Sequence, residues 1–406
     1  MKYIVVLGDG MADEPIDQLN GKTPLEVALT PNMDFLAQNG ELGMVQTIPR
    51  GMSPGSDTAN LSVLGYDPKK YYTGRSPLEA LSQGISLKEG DVTFRANLVT
   101  LSEEVTYEDK KLLDHSGGEI STEEAKVLIN YLKEHLDDEM KQFHTGVSYR
   151  HILLWNQGSI DVKLIPPHDI RNQNIKNHLP KGDNSDIILS IMKRSFELLK
   201  DHPINRERME EGLLPANSLW IWGEGTKPVL DRFHDKYDLD GAMISAVDLL
   251  NGMALGADLQ VIAVEGATGN IHTNFIGKAN AAVQCLKEKD FVYIHIEAPD
   301  ECGHAGELHQ KIRAIELIDE QIVGNLLAQL NGQEFRILLL PDHATPIRCC
   351  THTDSPVPFA IYDSSIEVSA KNMRAYNEIS VAKEELVFNE GYTLMDYFVK
   401  GGKRSC

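Results

Sequence analysis

Three separate segments carry oxygen and nitrogen donors of the kind that hold divalent cations. Asp9 follows the apolar run Ile4-Val5-Val6-Leu7. Asp300 and His304, spaced i,i+4, follow Phe291–Ile296, and Asp342-His343 follow Phe335–Leu340, with His352 shortly after. A mixed Asp and His set without cysteine suits Mn²⁺ or Zn²⁺, with Mg²⁺ next. An Asp-His dipeptide alone is usually a cap or a surface loop. Three such groups at three strand ends point instead to a two-cation centre built from distant parts of the chain. Asp342 and His343, leaving a strand end in different directions, suit a bridge between two nearby cations.

A fourth segment, Pro54-Gly55-Ser56-Asp57-Thr58-Ala59-Asn60, places a serine hydroxyl at the start of a helix-like stretch. Backbone N–H groups and the helix dipole favour a phosphate there. A serine hydroxyl is a poor nucleophile at neutral pH until a base or a metal activates it. The plain reading of Ser56 is a helix N-cap. The segment is not the G-x-S-x-G elbow of a hydrolase triad, and the chain has no G-x-x-x-x-G-K-[ST] loop.

The elements that must position these residues read as strand, helix, strand. Ile4–Leu7, 291–296 and 335–340 are buried parallel-type strands. Helices start at the capping box Thr23-Pro24-Leu25-Glu26 and at Thr30-Pro31. Residues 309–330 carry Ile312, Ile315, Ile322, Val323, Leu326 and Leu330 at helical spacing, a core stripe. This alternation predicts an α/β fold with an open, mostly parallel sheet flanked by helices, and ligands at the carboxyl ends of its strands. Between about 88 and 215 the pattern changes to polar helices such as 121–136, a strand at His151–Trp155 and a Pro/His/Asn-rich loop at 166–184. The simplest organisation is a discontinuous cation-binding domain, 1–87 and 216–406, interrupted by a smaller α/β domain, 88–215.

A formal net charge of −21 argues against a nucleic-acid partner and requires local cations for any anionic substrate. The five cysteines (Cys285, Cys302, Cys349, Cys350, Cys406) form no CxxC pair, so neither a disulfide framework nor a thiolate zinc site is expected. Cys302, between two candidate ligands, reads as a small packed residue. No segment suggests a signal peptide or a membrane span, which points to the cytoplasm.

The ordered set of motifs resembles the alkaline phosphatase superfamily and, within it, the cofactor-independent phosphoglycerate mutases of archaeal type. It comprises Asp9, Gly55-Ser56-Asp57-Thr58, Gly65-Tyr66-Asp67-Pro68, Tyr72-Thr73-Gly74-Arg75-Ser76-Pro77, Gly266-Ala267-Thr268-Gly269, Glu297 to His304, Pro341-Asp342-His343 and His352 to Phe359. The resemblance covers essentially the whole chain. It implies one cation held by Asp300, His304 and His352, and another held by Asp9, Asp342, His343 and the nucleophile Ser56. It further implies interconversion of 3-phosphoglycerate and 2-phosphoglycerate through a phosphoserine, in glycolysis and gluconeogenesis, without 2,3-bisphosphoglycerate. A closable inserted domain would keep water from the phosphoserine.

That domain should also supply cations for a small phosphorylated substrate, Arg150 first, then His168 and Lys227, with Arg75 and Arg95 as further options. The basic residues at 193–208 read as a solvated face. Asn60 stands where many archaeal-type mutases have a His, and is expected to bear on substrate preference without touching the metal site. The alternative is a homoserine kinase-like phosphotransferase of threonine biosynthesis working with the same site.

Overall fold

The computed structural model describes residues 1–366 and 374–401; Cys406 lies outside them. The chain divides into two compact units, Met1–Tyr72 with Val229–Cys406, and Thr73–Pro228. The span 88–215 falls inside the second unit. The added ends carry the helix Ser76–Ser82 and the strand Ser218–Thr226, which pairs along Val92–Leu101 and is inseparable from it.

The first unit is built on an eight-stranded sheet. Its order is Gln260–Val261, Gly241–Ile244, Phe291–Ile296, Lys2–Gly8, Phe335–Leu340, Val357–Asp363, Gly40–Val45 and Leu386–Phe388. Only Val357–Asp363 runs antiparallel to its neighbours. The central strand Lys2–Gly8 lies between Phe291–Ile296 and Phe335–Leu340, with Leu7 in register with both His295 and Leu340. Those three strands are almost wholly apolar because helices cover both faces of a parallel sheet. Ile4, Val6, Val292, Ile294, Ile337 and Leu339 pack on one face with Ile315, Ile322, Val323 and Leu326.

The helical stripe at 309–330 is not one regular helix. Leu308–Leu317 and Gly324–Gln329 are joined by a π-helical turn, Ile318–Val323. The turn presents Asp319 to the start of the helix Pro31–Gln38, where it accepts from Met33 N at 2.7 Å and Asn32 N at 3.3 Å. A carboxylate there satisfies two N–H groups that the helix itself leaves open.

The second unit holds a five-stranded antiparallel sheet centred on Val92–Leu101, with the helices Thr122–Leu136 and Ser185–Leu199 packed in its apolar core. Ser121 and Glu124 form the expected capping box. The basic stretch 193–208 is not uniformly solvated. Arg194 and Arg206 are exposed, but Arg208 is 4% exposed. Its guanidinium forks onto Glu124 at 3.0 and 3.1 Å and donates to the carbonyls of Leu214, Gly117 and Gly118. Five donors on a rigid plane let one Arg satisfy all of these, which composition cannot reveal. Among the described residues no helix is long and apolar enough to cross a membrane.

Candidate active site

The parallel register sets the site. With Gly8 opposite Ile296 and Leu7 opposite Leu340, Asp9, Asp300 and Asp342 emerge past one edge of the sheet. The turn after Asp9 is tight: Gly10 has φ +59, and a Cβ there would fall 2.5 Å from Asp300 Oδ1. Glycine alone combines that backbone with that approach. Asp300 and His304 ride the helix Ala298–Ala305, whose pitch turns both to one side.

Seven candidate side chains gather in this unit. Asp9, Asp342 and His343 form one buried group, and Asp300, His304 and His352 another; in each, the donor atoms lie within 4.8 Å of one another. Asp342 and His343 thus share one group, and the link between the groups is Thr345. Its hydroxyl donates to Asp300 Oδ1 and lies 3.2 Å from His343 Nδ1. With that one proton committed to a carboxylate, Nδ1 of His343 must be the donor to Thr345, and Nε2 presents its lone pair. Nε2 faces Ser56 Oγ at 3.1 Å and Asp9 Oδ1 and Asp342 Oδ2 at 3.4 Å each.

Ser56 is not the N-cap. Gly55 takes that position, and Ser56 opens the helix Ser56–Val63. Its hydroxyl makes no capping bond and turns to the acidic group.

The electrostatics call for a cation at the Asp9 group. Burial, with Asp342, Asp300 and Glu297 nearby, pushes the Asp9 carboxyl well above the ordinary carboxylate range. Asp9 Oδ1 is buried with no hydrogen-bond partner, a costly state for a carboxylate oxygen. In the other group, burial opposes ionisation of Asp300, but hydrogen bonds from His304 and His352 hold it well below its ordinary value. The bond to Asp300 raises His304 to about 9. His304 Nε2 and His352 Nε2 point at one another at 2.8 Å, and His304 Nδ1 donates to Cys350 O. Converging carboxylates and imidazoles of this kind, with the ring protons released on binding, are a donor set for divalent metal. Cys302 is buried, and burial pushes its thiol up to about 11, so it stays protonated and outside the set.

Asn60 does touch the candidate metal site. It is fully buried, and its amide N–H groups donate to Asp342 Oδ2 at 2.8 Å and Ser56 O at 2.9 Å. Tyr293 OH donates to Asn60 Oδ1 at 2.6 Å and so fixes which way the amide faces. Asn60 ties the serine's helix to a candidate ligand, contrary to the expectation that it leaves that site alone.

His295 and Lys311 are further residues that sequence reasoning passed over. His295 Nε2 meets Asp9 Oδ2 at 2.8 Å; burial, with Lys278 behind it, pushes the ring down to about 3, so it is neutral. The one signal for His295 was a polar tip at alternate positions, Tyr293 and His295, of an apolar strand. Lys311 donates to Ala12 O, Asp13 Oδ2 and Thr345 O, tying both ligand loops to one ammonium.

The candidate substrate cations lie in the second unit. Arg75 Nε donates to Glu79 Oε1 at 2.9 Å. Arg95 Nε approaches Glu79 Oε2 at 3.0 Å as an ion pair without hydrogen-bond alignment, its guanidinium 4.3 Å over the Trp222 ring. Burial works against the Glu79 carboxylate, but Arg95 and Arg75, with Arg150, hold its pKa below the ordinary value. His168 packs edge-on to Trp222 at 5.3 Å. Arg150 is exposed beside Tyr149. Lys227 is exposed and joins none of these contacts.

A family model described as 2,3-bisphosphoglycerate-independent phosphoglycerate mutase matches residues 37–205. A probable 2,3-bisphosphoglycerate-independent phosphoglycerate mutase of Geobacter sulfurreducens is 48% identical over 98% of this chain and 99% of its own length. The enzyme so named from Methanothrix thermoacetophila is 48% identical over 99% of this chain and 100% of its own. Among solved structures, a Pyrococcus horikoshii protein matches with a TM-score of 0.82 at 30% identity, covering 100% of this chain and 98% of that one. The cofactor-independent phosphoglycerate mutase of Thermoplasma acidophilum matches at 0.67 and 26%, covering 99% and 100%.

Proposed function

Since this chain belongs to the 2,3-bisphosphoglycerate-independent phosphoglycerate mutase family, we propose that it interconverts 3-phosphoglycerate and 2-phosphoglycerate by carrying the phosphoryl group on Ser56. The family's chemistry needs no bisphosphate cofactor. The homoserine kinase-like alternative finds no support. The observation that carries the reading is the Ser56 hydroxyl, free of any capping role, 3.1 Å from the His343 Nε2 lone pair at the edge of two cation-type donor groups.

In this reading Asp9, Asp342 and His343, with Ser56, would hold one divalent cation, and Asp300, His304 and His352 another. Mn²⁺ or Zn²⁺ fits these donors better than Mg²⁺, and when bound would supply Lewis acidity to the serine oxygen and to the transferring phosphoryl oxygens. Ser56 Oγ attacks phosphorus as its proton leaves, the bond from phosphorus to the substrate oxygen breaks, and that oxygen takes up a proton. The neighbouring hydroxyl of the same glycerate then attacks the phosphoserine as its proton leaves, the bond from phosphorus to Ser56 Oγ breaks, and Oγ takes up a proton. Asn60 and Gly55 keep the serine at the helix start, where backbone N–H groups face a phosphate. In the second unit Arg75, Arg95 and Arg150, with His168, are the proposed contacts to the substrate's anionic groups, and Lys227 is a separate exposed cation. The cytoplasm is the proposed location, in keeping with a metabolite of central carbon metabolism.

The test is Ser56→Ala assayed with 3-phosphoglycerate after loading with Mn²⁺, alongside mass spectrometry of the wild type quenched during turnover. Loss of turnover with a phosphate mapped to Ser56 is expected. Full turnover by the variant would sink the mechanism.

A further inference from the structure

We propose that His295 is a positioning residue for the cation site: its Nε2–H clamps Asp9 Oδ2 and thereby commits Asp9 Oδ1 to the ion. The proposal rests on the reading that Asp9, Asp342 and His343 hold a divalent cation.

The proton count is closed. With a cation in place Asp9 is ionised and only accepts, so His295 Nε2, at 2.8 Å from Oδ2, carries the hydrogen. In the neutral ring Nδ1 is then an acceptor, and it lies 3.1 Å from Ser245 Oγ. That hydroxyl accepts from Val247 N at 3.0 Å, which leaves its own proton for the ring. Each polar atom in this chain has one role, and it ends on the backbone that follows the strand Gly241–Ile244. His295 is fully buried, and its own carbonyl accepts from the buried Lys278 ammonium at 2.9 Å. The ring is therefore held at both nitrogens, and Lys278 separately anchors its backbone carbonyl.

The consequence falls on Asp9. Its companion Asp342 has both oxygens engaged, Oδ1 by Gly10 N and His343 N and Oδ2 by Asn60. Asp9 has one oxygen clamped by His295 and the other buried with no hydrogen-bond partner, 3.4 Å from His343 Nε2. A carboxylate held on one side keeps a single orientation, and hydrogen bonds of this kind behind metal ligands typically contribute about 10–100-fold in metal affinity.

Mn²⁺ binding to the full chain, followed by calorimetry and by the electron paramagnetic resonance of bound Mn²⁺ without substrate, tests this. His295→Leu keeps the buried volume and removes the donor. It should weaken one of the two sites by about 10–100-fold and leave the other unchanged. His295→Gln, whose amide nitrogen reaches the place of Nε2, should recover most of that loss. Ser245→Ala, a milder change that frees the ring, should show a smaller loss at the same site and serves where His295→Leu does not fold. Wild-type affinity at both sites in these variants, an equal loss at both, or no rescue by Gln overturns the proposal. Asp9→Asn separates the two levels. If it binds Mn²⁺ as the wild type does, the cation reading itself falls; if it loses a site that His295→Leu keeps, only the positioning role does.

Discussion

Lys311→Met tests whether one buried ammonium braces both ligand loops. The side chain of Lys311, on the helix Leu308–Leu317, is fully buried, and its three N–H groups meet Asp13 Oδ2 at 2.7 Å, Thr345 O at 2.8 Å and Ala12 O at 3.2 Å. Ala12 lies three residues past Asp9 and Thr345 two past His343. Methionine matches the stem but leaves two carbonyls short of a donor and the Asp13 carboxylate buried without a countercharge, with only the backbone of Glu14 and Ile347 donating to it. Breaking a buried pair from one side costs about 3–5 kcal/mol, a large share of a total stability of about 5–15 kcal/mol. Lys311→Met with Asp13→Asn removes the orphaned charge, so the double variant should be about 2 kcal/mol more stable than the Lys311 single variant.

The readout must resolve the two units. All three tryptophans, Trp155, Trp220 and Trp222, lie in the second, so their fluorescence during urea unfolding reports on that unit. Native-state hydrogen exchange of the amides in Lys2–Gly8 and Phe335–Leu340 reports on the first. Faster exchange in those strands for the single variant, partly restored in the double, is expected. A single-variant cost below about 1 kcal/mol, or a double-variant cost equal to the sum of the singles, would refute a coupled buried pair.

Asn60→Ala should lower kcat with little change in KM, because it frees Asp342 Oδ2 and the first turn of the serine's helix without removing a substrate contact; steady-state kinetics showing a KM effect alone would restore the substrate-preference reading. The same change leaves Tyr293 OH and Asp342 short of partners, at about 1–3 kcal/mol each by chemical denaturation. His151 provides a pH test in the second unit. Burial pushes its ring from 6.5 down to about 3, and its Nδ1 accepts from Gly146 N. The folded pKa lies below the unfolded one, so the unfolded chain binds the extra proton. The stability this residue contributes is complete above pH 6.5 and is lost as pH falls toward 3. His151→Asn keeps an acceptor for Gly146 and removes the titration. Its tryptophan-monitored unfolding free energy should fall less steeply with acid than the wild type's, by up to roughly 1.4 kcal/mol per pH unit, and parallel slopes would contradict the neutral buried ring.

Much of the site was legible because metal and phosphoryl chemistry restricts residue type. Asp, His and a serine after glycine are a short vocabulary, and each stood at the end of an apolar run or the start of a helix, where backbone geometry leaves side chains facing outward. The sheet was legible for the same reason: strands buried on both faces must be continuously apolar. Arg208 was misread because a buried, fully bonded guanidinium and a solvated one look alike in composition. The role of the π-helical turn at Ile318–Val323 was invisible because the N–H groups that its Asp319 meets, on Asn32 and Met33, lie 287 and 286 positions away.

The sequence by itself determined which atoms are available: seven cation and nucleophile side chains, their placement at strand and helix ends, and an α/β frame that brings such ends to one edge. Only the tertiary structure decided how those atoms are held. His295 reaches Asp9 across 286 positions, Asn60 reaches Asp342 across 282, and Lys311 reaches Ala12 across 299. A buried polar side chain has meaning only through the partner that satisfies it. Local pattern gives the buried residue, and the partner is fixed by the register of the parallel strands and the packing of helices on them.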